Sequence, residues 1–186
     1  MRIILASASP RRRELMKLIT EDFTAVSTNC DETLPCGISP LEASEYLAEL
    51  KARSVSEQYQ DSVIIGCDTT VICNGMLLGK PQDNKQCREF LDMLSGRIHQ
   101  VATGCCIICG DTVRSFTVVT DVTFRKLSDE DVRWYISTDE PYDKAGGYGI
   151  QGRGALLIEK INGDYFNVVG LPVSRLNQEL KLFIKE

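Results

Sequence analysis

The stretch that most constrains the fold is Ser62-Val63-Ile64-Ile65-Gly66-Cys67-Asp68-Thr69-Thr70-Val71-Ile72-Cys73. It is continuously apolar and rich in β-branched residues, without the alternation of a half-solvated strand. Such a run predicts a strand buried on both faces, as in a helix-covered α/β sheet. Asp68 interrupts it, and a buried carboxylate is costly unless it is paired, hydrogen-bonded or metal-bound. Asp68 is therefore the first candidate functional acid; the alternative is a strand-end aspartate capping backbone amides. The run leads into Asn74-Gly75, which has the chemistry of a type I′ turn, so Val71 to Cys73 and Met76 to Leu78 should pair as a hairpin. The hairpin delivers Gly79-Lys80-Pro81, so that an amine emerges near the strand pair that began at Asp68.

The N-terminus carries the second informative stretch. A short apolar run, Ile3 to Ala6, is followed by Ser7-Ala8-Ser9-Pro10 and then Arg11-Arg12-Arg13. Ser9 suits an N-cap and Pro10 the first helical position. Three arginines do not suit a helix start, where the dipole favours acidic residues. Backbone N–H groups, a hydroxyl at Ser7 or Ser9 and the guanidinium forks of Arg11 and Arg12 together describe a phosphate site. The alternative is a solvated basic helix start with Arg13 paired locally. The helix is expected to continue to Ile19, burying Leu15, Met16, Leu18 and Ile19.

Phe23 to Ser27 reads as a second short strand, ending at Asn29-Cys30-Asp31-Glu32. Adjacent carboxylates beyond a strand end are ordinary loop residues, and they are also how hard cations are collected. Ser39-Pro40-Leu41-Glu42 is a capping box that predicts a helix to about Gln58, with Leu47, Leu50 and Val55 on its apolar stripe. Lys51 lies beside that stripe, either snorkelling outwards or aimed into a cleft.

Asp83 to Leu94 is an amphipathic helix pattern with Cys87, Phe90, Leu91 and Leu94 inward, closed by Ser95-Gly96. Ile98 to Cys109 and Thr112 to Arg125 read as long antiparallel strands turning at Gly110-Asp111. His99 sits among apolar neighbours near the start of the first, and reads as a hydrogen-bonded sheet histidine rather than a catalytic base. Ser128 to Asp131 caps a further helix, Asp129 to Ser137. Glu140 to Gly154 then holds five glycines between Gly146 and Gly154, a binding loop or a mobile one, without a Walker or dinucleotide fingerprint. Ala155 to Ile161 and Asp164 to Val169, around Asn162-Gly163, read as a hairpin, and Gly170-Leu171-Pro172 opens a C-terminal helix running to about Ile184.

Composition excludes several classes. A net charge of −5 argues against stable nucleic-acid binding, so any polyanion site must be local. No apolar run is long enough to span a bilayer and no secretory signal pattern opens the chain, which predicts a cytoplasmic protein. The eight cysteines fall mostly in strand-like runs, where a thiol acts as a small hydrophobe. Cys106 and Cys109 have metal-site spacing, but strand alternation points them to opposite faces. With His99 the single histidine, a multi-histidine metal site is excluded. No repeat or linker divides the chain, and one domain over 1–186 is expected.

Taken together, Ser7-x-Ser9-Pro10-Arg11-Arg12, Asp31-Glu32, Gly66-x-Asp68-Thr69, Gly79-Lys80-Pro81, Ser95-Gly96-x-x-His99, Glu140-Pro141-x-Asp143-Lys144-Ala145-Gly146 and Asn167 to Pro172 closely resemble the Maf family over essentially the whole chain. The resemblance implies a Maf/inosine-triphosphatase-like α/β fold: two lobes around one central cleft, with an elongated mixed sheet flanked by helices. It also implies frequent homodimerisation and Mg²⁺- or Mn²⁺-dependent cleavage of a nucleoside triphosphate to the monophosphate and pyrophosphate. Tyr148-Gly149-Ile150-Gln151-Gly152 resembles the branch acting on dTTP, UTP and modified uridine triphosphates. Cys67, where relatives commonly carry alanine, and Gly147, where alanine or serine is usual, depart from the pattern without enlarging the side chain much.

On this reading Ser7, Arg11 and Arg12 hold the triphosphate, Lys51 and Lys80 neutralise the leaving pyrophosphate, Glu32 and Asp68 bind the divalent metal, Asp68 acts as base, and Gln151 reads the pyrimidine edge. Arg12, Asp68 and Lys80 are the catalytic set. Two rivals stand beside it: a pyrophosphatase for methylated or deaminated purine triphosphates, and a non-catalytic nucleotide-binding regulator of cell division.

Overall fold

A computed structural model describes residues 2–183. In chain order the elements are β1 (Arg2–Ala6), α1 (Pro10–Met16), β2 (Thr24–Val26), α2 (Pro40–Ser56), β3 (Ser62–Cys73), β4 (Met76–Leu78), α3 (Asn84–Leu94), β5 (Ile98–Cys109) and β6 (Thr112–Phe124). They continue with α4 (Asp129–Ile136), 3₁₀ turns at Pro141–Asp143, Ala145–Gly147 and Gly152–Leu157, then β7 (Ile158–Asn162), α5 (Tyr165–Val169) and α6 (Val173–Phe183). The fold is α/β with a mixed sheet flanked by helices. Strand order is β2-β1-β3-β5-β6-β7, with β4 on β3. β1 runs parallel to both neighbours, Ile4 opposite Ile64 and Thr24, whereas β3–β4 and β6–β7 are antiparallel. The chain forms two compact units. Unit one holds the chain up to Asp68, Thr103–Val118, and the chain from Gly170; unit two holds Thr69–Ala102 and Val119–Val169.

In unit one, β3 is buried along both faces, as its unbroken apolar pattern demands. α2 lies unusually close to the sheet. A Cβ on Gly66 would lie 2.1 Å from the Ala48 carbonyl oxygen, and one on Gly104 would lie 2.3 Å from the Glu45 nitrogen. The helix answers with small residues: Ala43, Ser44, Ala48 and Ala52 are buried with Leu47 and Val55, while Leu50 is only half-buried. Two local expectations change here. Ser39 occupies the N-cap position without a side-chain bond, because its backbone carbonyl already takes the amides of Glu42 (2.9 Å) and Ala43 (3.2 Å). And α1 stops at Met16, because Leu18 and Ile19 donate three residues back to Leu15 and Met16; this tightened end turns Leu18 outward to 63% exposure.

Unit two is built on Val71, Leu78, Leu91, Leu94, Phe124, Val132, Tyr135 and Leu157. Asn74 (φ 51°) and Gly75 (φ 73°) make the left-handed turn expected between β3 and β4. Ser128 and Asp131 form a complete capping box on α4, and Arg125 grips Asp131 with two bonds of 2.9 and 2.8 Å. The hairpin expected over residues 155–169 is not formed: β7 is followed by α5. The Phe166 amide donates to Asp164 Oδ1 (2.8 Å), and the fully buried Asn167 donates to Val101 O (2.9 Å) and Thr120 Oγ1 (3.0 Å), which fixes a helical turn where a strand would have no such partners. The glycine-rich stretch is likewise wound into 3₁₀ turns rather than left open. The expected end of the last helix near Ile184 lies outside the described residues. Among the described residues no helix is long and apolar enough to cross a membrane.

Candidate active site

β1 ends at Ala6 and sends the chain through Ser7 and Ser9 into α1. Ser7, 4% exposed, accepts from the Ser9 amide (3.2 Å) and from Arg12 Nη1 (3.5 Å). Ser9 Oγ caps the Arg12 amide (3.4 Å), as its position before Pro10 predicts. Arg12 Nε donates to Gly170 O at 2.8 Å. The guanidinium is thus oriented by the Ser7 hydroxyl just before α1 and a carbonyl 158 residues away in sequence, a partner no local pattern could reveal. Arg11 is half-buried on the same turn, and Arg13 is exposed.

The second cluster follows from strand alternation. Gly66 faces α2, so Asp68, two residues on, faces it too, one helical turn beyond Ala48 where Lys51 projects. Lys51 and Asp68 are each only 9% exposed, and Lys51 Nζ lies 2.5 Å from Asp68 Oδ1 and 3.2 Å from Glu32 Oε1. Of the two sequence readings, the inward-aimed amine is the observed one. The neighbouring Asp31 does different work: its carboxylate accepts from Thr33 N (3.0 Å) and Thr33 Oγ1 (2.6 Å), bonds that hold its proton affinity below the usual range and shape the loop that presents Glu32.

The exposed Glu32 and the buried Asp68 converge on the Lys51 ammonium, and paired carboxylates are also what a hard divalent ion takes. No group of three or more His, Cys, Asp or Glu side chains able to hold a metal occurs among the described residues. Mg²⁺ commonly takes one or two carboxylates and completes its shell with water and substrate phosphate oxygens, so Glu32 and Asp68 fit such an ion. The cysteines stay outside this chemistry. All eight are free, five are buried, and Cys67 Sγ packs 3.5 Å from Cys105 Sγ, where burial pushes the Cys105 thiol well up.

Six of the eight sequence candidates, Ser7, Arg11, Arg12, Glu32, Lys51 and Asp68, lie in unit one; Lys80 and Gln151 lie in unit two. Both of the latter are exposed. The segment around Gln151 is held by a residue to which sequence reading gave no role: Glu140, whose carboxylate accepts from Arg153 N (2.8 Å) and Gly154 N (3.1 Å). A carboxylate followed a dozen residues later by a glycine-rich turn is the only sequence trace of that bond. His99 is buried at 2% exposure with Nε2 2.6 Å from Tyr148 Oη, and burial drives its pKa down to about 4. It is a buried sheet histidine, as expected, but satisfied only through Nε2.

The Maf-like protein family model matches residues 2–183. The chain is 47% identical over 182 residues to a dTTP/UTP pyrophosphatase of Bacillus velezensis, covering 98% of this chain and 96% of that protein. It is 46% identical over 185 residues to the dTTP/UTP pyrophosphatase of Clostridioides difficile, at 98% and 95% coverage. Among solved structures it is similar in fold to a HAM1 protein from Coxiella burnetii (TM-score 0.57, 12% identity, 98% and 99% coverage) and to the Staphylococcus aureus Ham1 protein (0.52, 17%, 85% and 80%). At those identities the likeness is one of architecture.

Proposed function

The chain belongs to the Maf family, and from that premise we propose that it is a nucleoside triphosphate pyrophosphatase hydrolysing dTTP and UTP, and modified uridine triphosphates, to the monophosphate and pyrophosphate. The observation that carries the reading is the buried Lys51–Asp68 pair with Glu32 beside it, in the same compact unit as the Ser7–Arg12 clamp. Cations for a polyphosphate and carboxylates for a water and a metal are thereby supplied together.

Arg12, oriented by Ser7 and Gly170, binds phosphate oxygens through its guanidinium, and Arg11 adds charge from the same turn. Asp68 takes the proton of a water that attacks the α-phosphorus. The α-phosphorus bond to the bridging oxygen breaks, and pyrophosphate departs with that bond's electron pair. Lys51, already fixed by Asp68, neutralises the charge that develops there, with Lys80 as a second cation. Preorganised charge of this kind carries most of the catalysis in phosphoryl transfer. Glu32 and Asp68 would hold Mg²⁺ or Mn²⁺, which when bound supplies Lewis-acid neutralisation of phosphate charge. Gln151 has one donor and one acceptor to offer the pyrimidine edge. The protein is read as a cytoplasmic homodimer that limits misincorporation of non-standard nucleotides; the acidic net charge of −5 supports the absence of stable nucleic-acid binding.

The test is incubation of the purified protein with Mg²⁺ and dTTP, UTP, CTP, GTP or 7-methyl-GTP, with monophosphate and pyrophosphate measured. Equimolar release from dTTP and UTP is expected. Release from modified purines alone would make it a purine-directed enzyme, and no release from any triphosphate would make it a nucleotide-binding regulator.

A further inference from the structure

The buried His99–Tyr148 hydrogen bond belongs to none of the roles assigned so far, yet it lies directly behind the segment that supports Lys80. Tyr148 follows the 3₁₀ turn Ala145–Gly147, and that turn fixes the backbone on both sides of Lys80. The Gly146 amide donates to Gly79 O at 2.9 Å. Gly147 rests on Pro81, whose Cγ would be 3.3 Å from a Cβ there. Gly146 is also pressed against Val71, so closely that a Cβ would meet its methyl at 2.9 Å. Both glycines have left-handed φ, 71° and 70°, which lets the turn lie flat on its support. Of the turn's three residues only Ala145 carries a side chain, a methyl packed on the unit-two core; the large buried side chain that follows the two glycines is Tyr148.

That side chain is held in place. The Tyr148 ring packs edge-on against Phe124 (4.7 Å between centroids, 76°) and His99 (5.3 Å, 88°), and His99 packs edge-on against Phe124 (5.1 Å, 84°). Three mutually perpendicular rings determine the plane of each, and the 2.6 Å bond from His99 Nε2 to Tyr148 Oη fixes how deep the tyrosine sits. His99 Nδ1 has no hydrogen-bond partner. Such a buried polar atom is costly, and this one is retained on a residue whose other nitrogen meets Tyr148. We propose that His99 and Tyr148 are a positioning pair for the pyrophosphatase reaction, setting the height of the Gly146–Gly147 turn and through it the placement of Lys80 against the departing pyrophosphate. The proposal rests on the reading of Lys80 as a catalytic cation.

The experiment compares steady-state kinetics on dTTP with thermal stability for Tyr148→Phe, His99→Phe, the double variant and Lys80→Ala. Each single variant leaves a buried polar partner unsatisfied and should lower stability; the double variant removes both partners and should recover most of it. If the bond positions Lys80, the double variant stays slow despite recovered stability, with kcat down roughly tenfold and KM changed less than twofold. The same double substitution placed in Lys80→Ala should cost nothing further, since the two act through one group. A double variant with wild-type stability and kcat within twofold of wild type, while Lys80→Ala is slow, overturns the positioning role and leaves the Lys80 reading intact. Losses that simply multiply in the triple variant overturn it equally. If Lys80→Ala itself turns over at the wild-type rate, the Lys80 reading fails and the proposal falls with it.

Discussion

Unit one buries an ion pair at the candidate site; unit two buries a neutral hydrogen-bonded pair. Lys51 and Asp68 are buried as a charged pair with Glu32 at its rim, whereas His99 and Tyr148 are buried as an uncharged hydrogen bond inside an aromatic cluster. A buried ion pair is weak evidence for stability, since desolvation offsets its attraction. On the proposed reading it acts on a charged ligand. A neutral bond among rings has no such use and fixes geometry instead.

The largest effect should come from taking charge out of the ionic pair. Asp68→Asn keeps the shape and removes the proposed base, and kcat on dTTP should fall by roughly 10²–10⁴-fold, the usual worth of a positioned acid or base. Near-wild-type turnover would show that the pair is structural after all. The neutral pair can also be broken by pH. The folded-state pKa of His99, about 4, lies below its ordinary 6.5, so its contribution is fully present above pH 6.5 and is lost as pH falls from there towards 4. Denaturant titrations across that window should show wild type losing on the order of 3 kcal/mol more than the His99→Phe/Tyr148→Phe variant. Parallel curves would mean that His99 is solvated in solution.

Arg12→Ala sharpens the ionic side. Removing the guanidinium held by Ser7 and Gly170 should lower kcat/KM about 10²-fold, on the scale of losing one strong electrostatic donor. A change below threefold would move the triphosphate elsewhere. Smallest is Glu140→Gln, which replaces the acceptor pair for the Arg153 and Gly154 amides with a single carbonyl. About 1 kcal/mol of stability should be lost, read by thermal melting, and an unchanged melting temperature would show that solvent substitutes for the missing acceptor.

Much of the frame was legible because it is locally specified. The β3 run, the Asn74-Gly75 turn, the Ser9–Pro10 helix start and the Ser128 cap all depend on residues within a few positions of one another. The Lys51–Asp68 meeting was not among them: the sequence offered Lys80 as the amine near Asp68, whereas the partner found is Lys51, 17 residues before it. What could not be read was decided at a distance. Asn167 is drawn into a helical turn by acceptors on β5 and β6, overriding a strand-like sequence, and Arg12 is aimed by Gly170. Leu18 and Ser39 failed for a smaller reason: three-residue backbone bonds at each helix end replaced the pattern that ideal periodicity assumes.

Gly66 and Gly104 carry no chemistry, but the absence of their side chains lets α2 stand close to the strands, and that closeness brings the base of Lys51 near Asp68. An alanine at 66 would meet the helix backbone itself, the Ala48 carbonyl oxygen at 2.1 Å and the Ala52 nitrogen at 2.7 Å, so no side-chain change on α2 makes room for it.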